Sequence, residues 1–281
     1  MMKLITKYTL LTLLLAAVAC SKFSRVQKSD NLDLKYKAAL AYYEKKDYYR
    51  AGTLFEELMP LLKGQAESEK AQLYFAYCQY YQGNLVLSEY YFKKFNETFP
   101  RSEFAEEALY MHCVSLFEDS PDYELDQTNT KKALESFQQY LERYPKTQKM
   151  DECNRLIDEL TLKLERKAYA QAKQYYKMRE YKASVVCFEN VAKDFPSSRF
   201  VEEVNFLKID AQYNYANMSI ESKRKERYLA ALEFYLTFID KYPNSKYANK
   251  AEQVYDLTQQ KLAELDKVKE KKSLWEWLGI G

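Results

Sequence analysis

The chain has 281 residues, 47% of them hydrophobic, which is enough for one large packed core or two ordinary ones and excludes a wholly disordered protein. Lys plus Arg (43) nearly cancels Asp plus Glu (41), so the formal charge of +2 supplies no field that would select nucleic acid as a partner. Five glycines and six prolines are too few for the tight turns of a sheet-rich fold, and the chain reads as all-α.

Residues 1–19 read as a secretory signal. Lys3 and Lys7 give the positive flank, and Tyr8 to Leu15 give an apolar stretch too short to span a bilayer. Its end, Ala17-Val18-Ala19-Cys20, resembles the lipobox of bacterial lipoproteins, which makes Cys20 the expected lipid attachment site. Several acyl chains on one residue would hold far more firmly than one chain does. Ser21 stands where inner-membrane lipoproteins carry aspartate, which implies the outer membrane. Residues 20–30 are expected to be a lipidated tether.

From about Asn31 to Leu265 the chain repeats. The pairs Phe99-Pro100, Tyr144-Pro145, Phe195-Pro196 and Tyr242-Pro243 serve as rulers. Twelve residues before each proline sit Ser88, Ala133, Ser184 and Ala231; eight before, Phe92, Phe137, Phe188 and Tyr235; five before, Phe95, Tyr140, Val191 and Phe238. Steps of four, three and four put these side chains on one helix face. A fifth copy, Ala51, Phe55, Leu58 and Leu62, lacks the proline. Two residues after each proline comes Ser102, Thr147, Ser198 or Ser245. The proline ends one helix and the hydroxyl accepts from free N–H groups of the next. Ala39, Tyr42 and Tyr48 recur as Ala172, Tyr175 and Tyr181, which adds the preceding helix. Small-x-x-Tyr, a turn aromatic, small, Phe and Pro resembles the tetratricopeptide repeat. The resemblance implies five helix pairs in a right-handed solenoid with a C-terminal capping helix, although the rulers at 63, 100, 145, 196 and 243 are spaced more widely than the usual repeat.

Part of the extra length is the polar run Asp119 to Thr130 around Pro121, expected to be an ordered loop. Asp151 to Arg179 reads as one long helix, and Lys246 to Leu265 as the cap. In the tail 266–281, lysines from Lys267 to Lys272 precede Trp275 and Trp277; they suit a membrane interface or partner groove, or a folded-back end packed on the last helix.

Enzyme chemistry is not expected. His112 is the sole histidine and has no nucleophile elbow beside it; Cys78, Cys113, Cys153 and Cys187 lack metal-ligand spacing and read as packed thiols; no glycine loop for phosphate occurs. No catalytic residue, metal or cofactor is assigned.

Five repeats directly behind a lipoprotein cysteine resemble the BamD family of outer-membrane assembly lipoproteins. Phe99-Pro100-Arg101-Ser102-Glu103-Phe104-Ala105-Glu106-Glu107-Ala108 is similar to that family's second junction, and Ser120-Pro121-Asp122-Tyr123-Glu124-Leu125-Asp126-Gln127, followed by Ala133 and Phe137, to its third repeat. The resemblance implies a subunit of the β-barrel assembly machinery on the periplasmic face of the outer membrane, held by its lipid anchor. It would scaffold the periplasmic domains of the barrel protein BamA, meet other assembly lipoproteins, and receive unfolded outer-membrane proteins. The runner-up is another periplasmic repeat adaptor, Tol-associated or coordinating peptidoglycan synthesis. First helices of tetratricopeptide pairs line the concave side, so Tyr36, Leu40, Tyr43, Leu73, Tyr77, Tyr80 and Tyr81 are the candidates for a client groove. The family points to the C-terminal repeats for BamA, hence Tyr176, Lys177 and Arg179.

Overall fold

The computed structural model describes the backbone of residues 22–277 and the side chains of residues 22–268. The signal stretch, Cys20 and Ser21 lie outside the described residues, as do the rings of Trp275 and Trp277. Every regular element among the described residues is a helix. The chain divides between Leu160 and Thr161 into two compact units.

In the first unit α1 (Leu32–Glu44) pairs with α2 (Tyr48–Leu58), α3 (Glu67–Tyr81) with α4 (Leu85–Thr98), and α5 (Ala105–Glu118) with α6 (Thr128–Arg143). In the second, α8 (Tyr181–Asp194) packs on α9 (Val201–Asn217), α9 on α10 (Glu221–Lys241), and α10 on α11 (Ala248–Trp277). The division falls within α7 (Met150–Lys177), the long helix expected from the unbroken pattern. Its early residues Cys153, Leu156 and Leu160 fill a core of the first unit, and Ala172 fills one of the second.

The repeat columns are the core. Ala51, Ser88, Ala133, Ser184 and Ala231 are buried, as are Phe55, Phe92, Phe137 and Phe188 one helical turn later. Small residues bring neighbouring helices close and rings fill the space between them. Leu62 is buried too, although α2 already ends at Leu58 and Leu62 lies in the following turn. The ruler aromatics Phe99, Tyr144, Phe195 and Tyr242 are only half-buried.

Each Pro junction is built alike. Phe99, Tyr144, Phe195 and Tyr242 leave the helical region, with φ between −123° and −131° and ψ between 59° and 66°, as the proline after each demands. The next hydroxyl then accepts from the N–H two residues on: Ser102 from Phe104 (3.0 Å), Thr147 from Lys149 (3.2 Å), Ser198 from Phe200 (3.2 Å) and Ser245 from Tyr247 (3.0 Å). The same hydroxyls reach a carboxylate on an earlier helix. Ser102 bonds Glu69, Ser198 donates to Glu165 (2.8 Å), Ser245 bonds Glu202, and Thr147 meets Glu106 through the Tyr140 hydroxyl. This second partner ties consecutive pairs together.

Turns within a pair share another device. Lys46, Gly83 and Arg179 stand at φ of 60°, 76° and 63°. In each, that residue and the next donate back to carbonyls of the helix just ended, for example Gly83 to Tyr80 and Asn84 to Gln79. The polar loop after α5 is ordered as expected: Ser120 meets Thr130 (2.7 Å), Asn129 donates to Asp119 (2.8 Å), and buried Gln127 donates to the carbonyls of Asp122 and Leu125.

Two ends differ from expectation. Where a tether is expected, residues 22–27 are helical and docked on the first pair. Phe23 sits edge-on to Tyr42 with ring centres 5.7 Å apart, the Arg50 guanidinium lies 5.7 Å above the Phe23 ring, and Gln27 donates to Glu57 (2.8 Å). Burial would raise the Glu57 carboxyl, but the bonds from Gln27 and Lys35 prevail and hold it below its ordinary pKa. At the other end, the tail does not fold back: α11 continues as one helix to Trp277.

Candidate protein-binding surface

Tyr43, Tyr77, Tyr80 and Tyr81 come together in the first unit as one aromatic face. Tyr43 packs against Tyr74 (4.6 Å) and Tyr48 (5.6 Å); Tyr48 stacks on Tyr81 (4.5 Å), which lies 6.0 Å from Tyr77 and 5.5 Å from Tyr80. Tyr48 and Tyr74 belong to this surface but are absent from the sequence candidates. Tyr48 reads there as a turn marker, and its stacking partner is set by a different repeat.

Tyr81 is the open end of the face, half exposed, whereas Tyr43, Tyr77 and Tyr80 are more deeply buried. Tyr36 and Leu40 are half-buried against the first core, Tyr36 edge-on to Phe55. Leu73 must be removed from the set. At 4% exposure it packs with Phe92, Phe95 and Ala108, filling the space toward the next pair.

Carboxylates flank the rings. The Tyr77 hydroxyl bonds Glu107 on α5, and the charge of Glu118 acts on the Tyr80 hydroxyl. Burial, reinforced by these carboxylates, pushes the Tyr77, Tyr80 and Tyr81 hydroxyls above the ordinary phenol range, and burial with neighbouring rings does the same at Tyr43. All four therefore remain neutral at physiological pH, with the Tyr77 O–H already given to Glu107 and the other three hydroxyls able to donate. The surface offers apolar rings and donors at once, a combination suited to an extended peptide with aromatic side chains.

In the second unit the Tyr176 hydroxyl bonds Asp210 on α9, and its ring packs on Tyr181 (5.8 Å). One turn earlier, Lys173 donates to Tyr169 (2.8 Å) and Glu203 (3.1 Å). Tyr176 thus serves the helix contact as much as any surface, while Lys177 and Arg179 are exposed at the following turn.

His112 is buried. Its Nδ1 donates to the Glu89 carbonyl (2.9 Å), its Nε2 faces the Ser136 hydroxyl (3.5 Å), and burial holds its pKa below the ordinary value. Cys78, Cys113 and Cys153 are buried free thiols, and Cys187 is half-buried. Among the described residues no group of three or more His, Cys, Asp or Glu is placed to hold a metal ion, and no helix is long and apolar enough to cross a membrane.

A family model described as "YfiO: Outer membrane lipoprotein" matches residues 30–227 and again 163–268. No curated protein matches the chain. Among solved structures it is similar to the TPR2AB domain of yeast Sti1 in a pHSP90 complex, at 13% identity and TM-score 0.38, covering 81% of this chain and 98% of that one. It is also similar to the apo form of RapI, at 15% identity and TM-score 0.34, covering 83% of each chain. Likenesses this distant carry nothing about partners.

Proposed function

The chain belongs to the YfiO family of outer-membrane lipoproteins, the BamD family, and from that premise we propose that it is a scaffold subunit of the β-barrel assembly machinery. It is anchored through Cys20 on the periplasmic face of the outer membrane, binds the periplasmic domains of a BamA-like barrel protein together with other assembly lipoproteins, and receives unfolded outer-membrane proteins. The observation that carries this reading is the family match over residues 30–268 on a chain whose repeat cores are intact.

For client segments that carry aromatic side chains, the face of Tyr43, Tyr77, Tyr80 and Tyr81, extended by Tyr48 and Tyr74, supplies rings for those side chains, and the hydroxyls of Tyr43, Tyr80 and Tyr81 supply donors for their backbone. Lys177 and Arg179 are the accessible members of the BamA-facing set.

Purification through a tag on this protein from native membranes tests the assignment. Co-isolation of a BamA-like barrel protein is expected, and a preparation without one overturns it. Substituting Tyr81→Ser, which leaves the core intact, weakens binding of a client C-terminal peptide; an unchanged affinity removes the groove from the proposal.

A further inference from the structure

The geometry points to a second membrane contact, on the end of the first unit from which the anchor leaves; it rests on lipidation of Cys20. The docked helix at residues 22–27 fixes where that exit is. Phe23 lies against Tyr42 and Arg50, at the turn that joins α1 to α2, whereas Gln27 reaches Glu57 near the far end of the pair. Cys20 precedes Lys22 by two residues, a reach of about 7 Å at full extension. An acylated residue 20 therefore holds the α1–α2 turn at the lipid headgroups.

What that end presents fits such a surface. Lys22, Lys45 and Lys46 are exposed, Glu44 is the exposed acid among them, and the Asp47–Arg50 pair (2.9 Å) cancels itself. Tyr49 is 71% exposed beside them. The neighbouring α3–α4 turn, Gln82-Gly83-Asn84, carries no charge and is followed by Val86 (66% exposed) and Leu87. Tyr49 and Leu87 line one open cleft of about 320 Å³ between the two pairs, so the turns form a continuous face. Lysines within a Debye length of the headgroups attract anionic lipid, and exposed rings settle at the interface. The occupant is an anionic phospholipid surface. Acyl chains hold the protein to the membrane; this face sets how the first unit is turned toward it.

The test uses the mature chain from residue 20 onward with Cys20→Ala, so that no acyl chain contributes, and measures sedimentation with vesicles of phosphatidylcholine alone or mixed with phosphatidylglycerol. Binding to the anionic vesicles that weakens with salt is expected. Lys45→Gln with Lys46→Gln should lower the partition coefficient roughly fivefold per lysine, with an unchanged circular dichroism spectrum. Tyr49→Ser should weaken binding without altering its salt dependence. Equal binding to both vesicle types, no binding to either, or full binding by the double lysine variant overturns the proposal. Mass spectrometry of the processed natural chain reports acylation separately. An acylated Cys20 with no vesicle contact removes only this face, and an unacylated Cys20 removes the anchor.

Discussion

Gly83 and Lys46 occupy the same step of their turns, yet one residue is suited to φ > 0 and the other is not. A methyl added to Gly83 meets no atom within 4 Å, so Gly83→Ala isolates the backbone cost. That cost is about 1 kcal/mol, read as a lower midpoint of urea unfolding. His112 gives a residue-scale prediction in pH. Its ring is buried and neutral, with the folded pKa depressed, so the unfolded chain binds the extra proton below about pH 6.5. Its contribution to stability is present above that pH and is lost as pH falls toward the folded value. Unfolding midpoints of the natural chain and of His112→Gln, followed from about pH 7.5 to 5.5, should converge as the pH falls; parallel curves would show that the ring takes no part. In the sequence His112 stands only as the sole histidine, with no nucleophile elbow beside it. The carbonyl it meets belongs to Glu89, on a different helix, and nothing local encodes that pairing.

Helices and their ends were the legible part of the fold, because a repeated proline, small residue and ring act through neighbours three or four positions away. Less legible was anything that needed two elements at once. Nothing in the sequence marks the carboxylates Glu69, Glu165 and Glu202 as partners of the junction hydroxyls, which reach them only once consecutive pairs have packed. Leu73, off its own helix's packing stripe, reads as a groove residue until α4 and α5 close over it. Ser198→Ala removes both the bond from Phe200 N–H and the Glu165 contact, and is expected to lower stability by about 1 kcal/mol. Restoring the hydroxyl as Thr should recover most of it, whereas a cost unrelated to the hydroxyl would persist. The docked helix at 22–27 is an element-scale case of the same kind. Its polar sequence reads as a tether, and only Phe23, Val26 and Gln27 at helical spacing meet α1 and α2. Phe23→Ala should free the segment, read as faster tryptic cleavage after Arg25 and Lys28 with the rest of the digest unchanged.

Stability in a repeat chain is local, because each pair packs chiefly on its neighbours in sequence. The cores here follow that rule. Phe137 packs with Cys113, Tyr140, Cys153 and Leu156 in the first unit, and Phe188 with Ala172, Val185, Val191 and Val204 in the second. Both rings are fully buried, so truncation of either to alanine costs about 3–5 kcal/mol. How that loss spreads depends on cooperativity. If the units open separately, Phe188→Ala lowers amide-exchange protection through α8 to α10 and leaves α1 to α4 as they were, while Phe137→Ala does the reverse. A uniform loss from either variant would mean that the chain opens as one cooperative body. The separate outcome is expected because the division falls inside α7 and the two rings belong to different buried clusters, one in each unit. An assembly subunit with that property can loosen the repeats at one end while those at the other stay folded, and the two exchange patterns measure whether this one does.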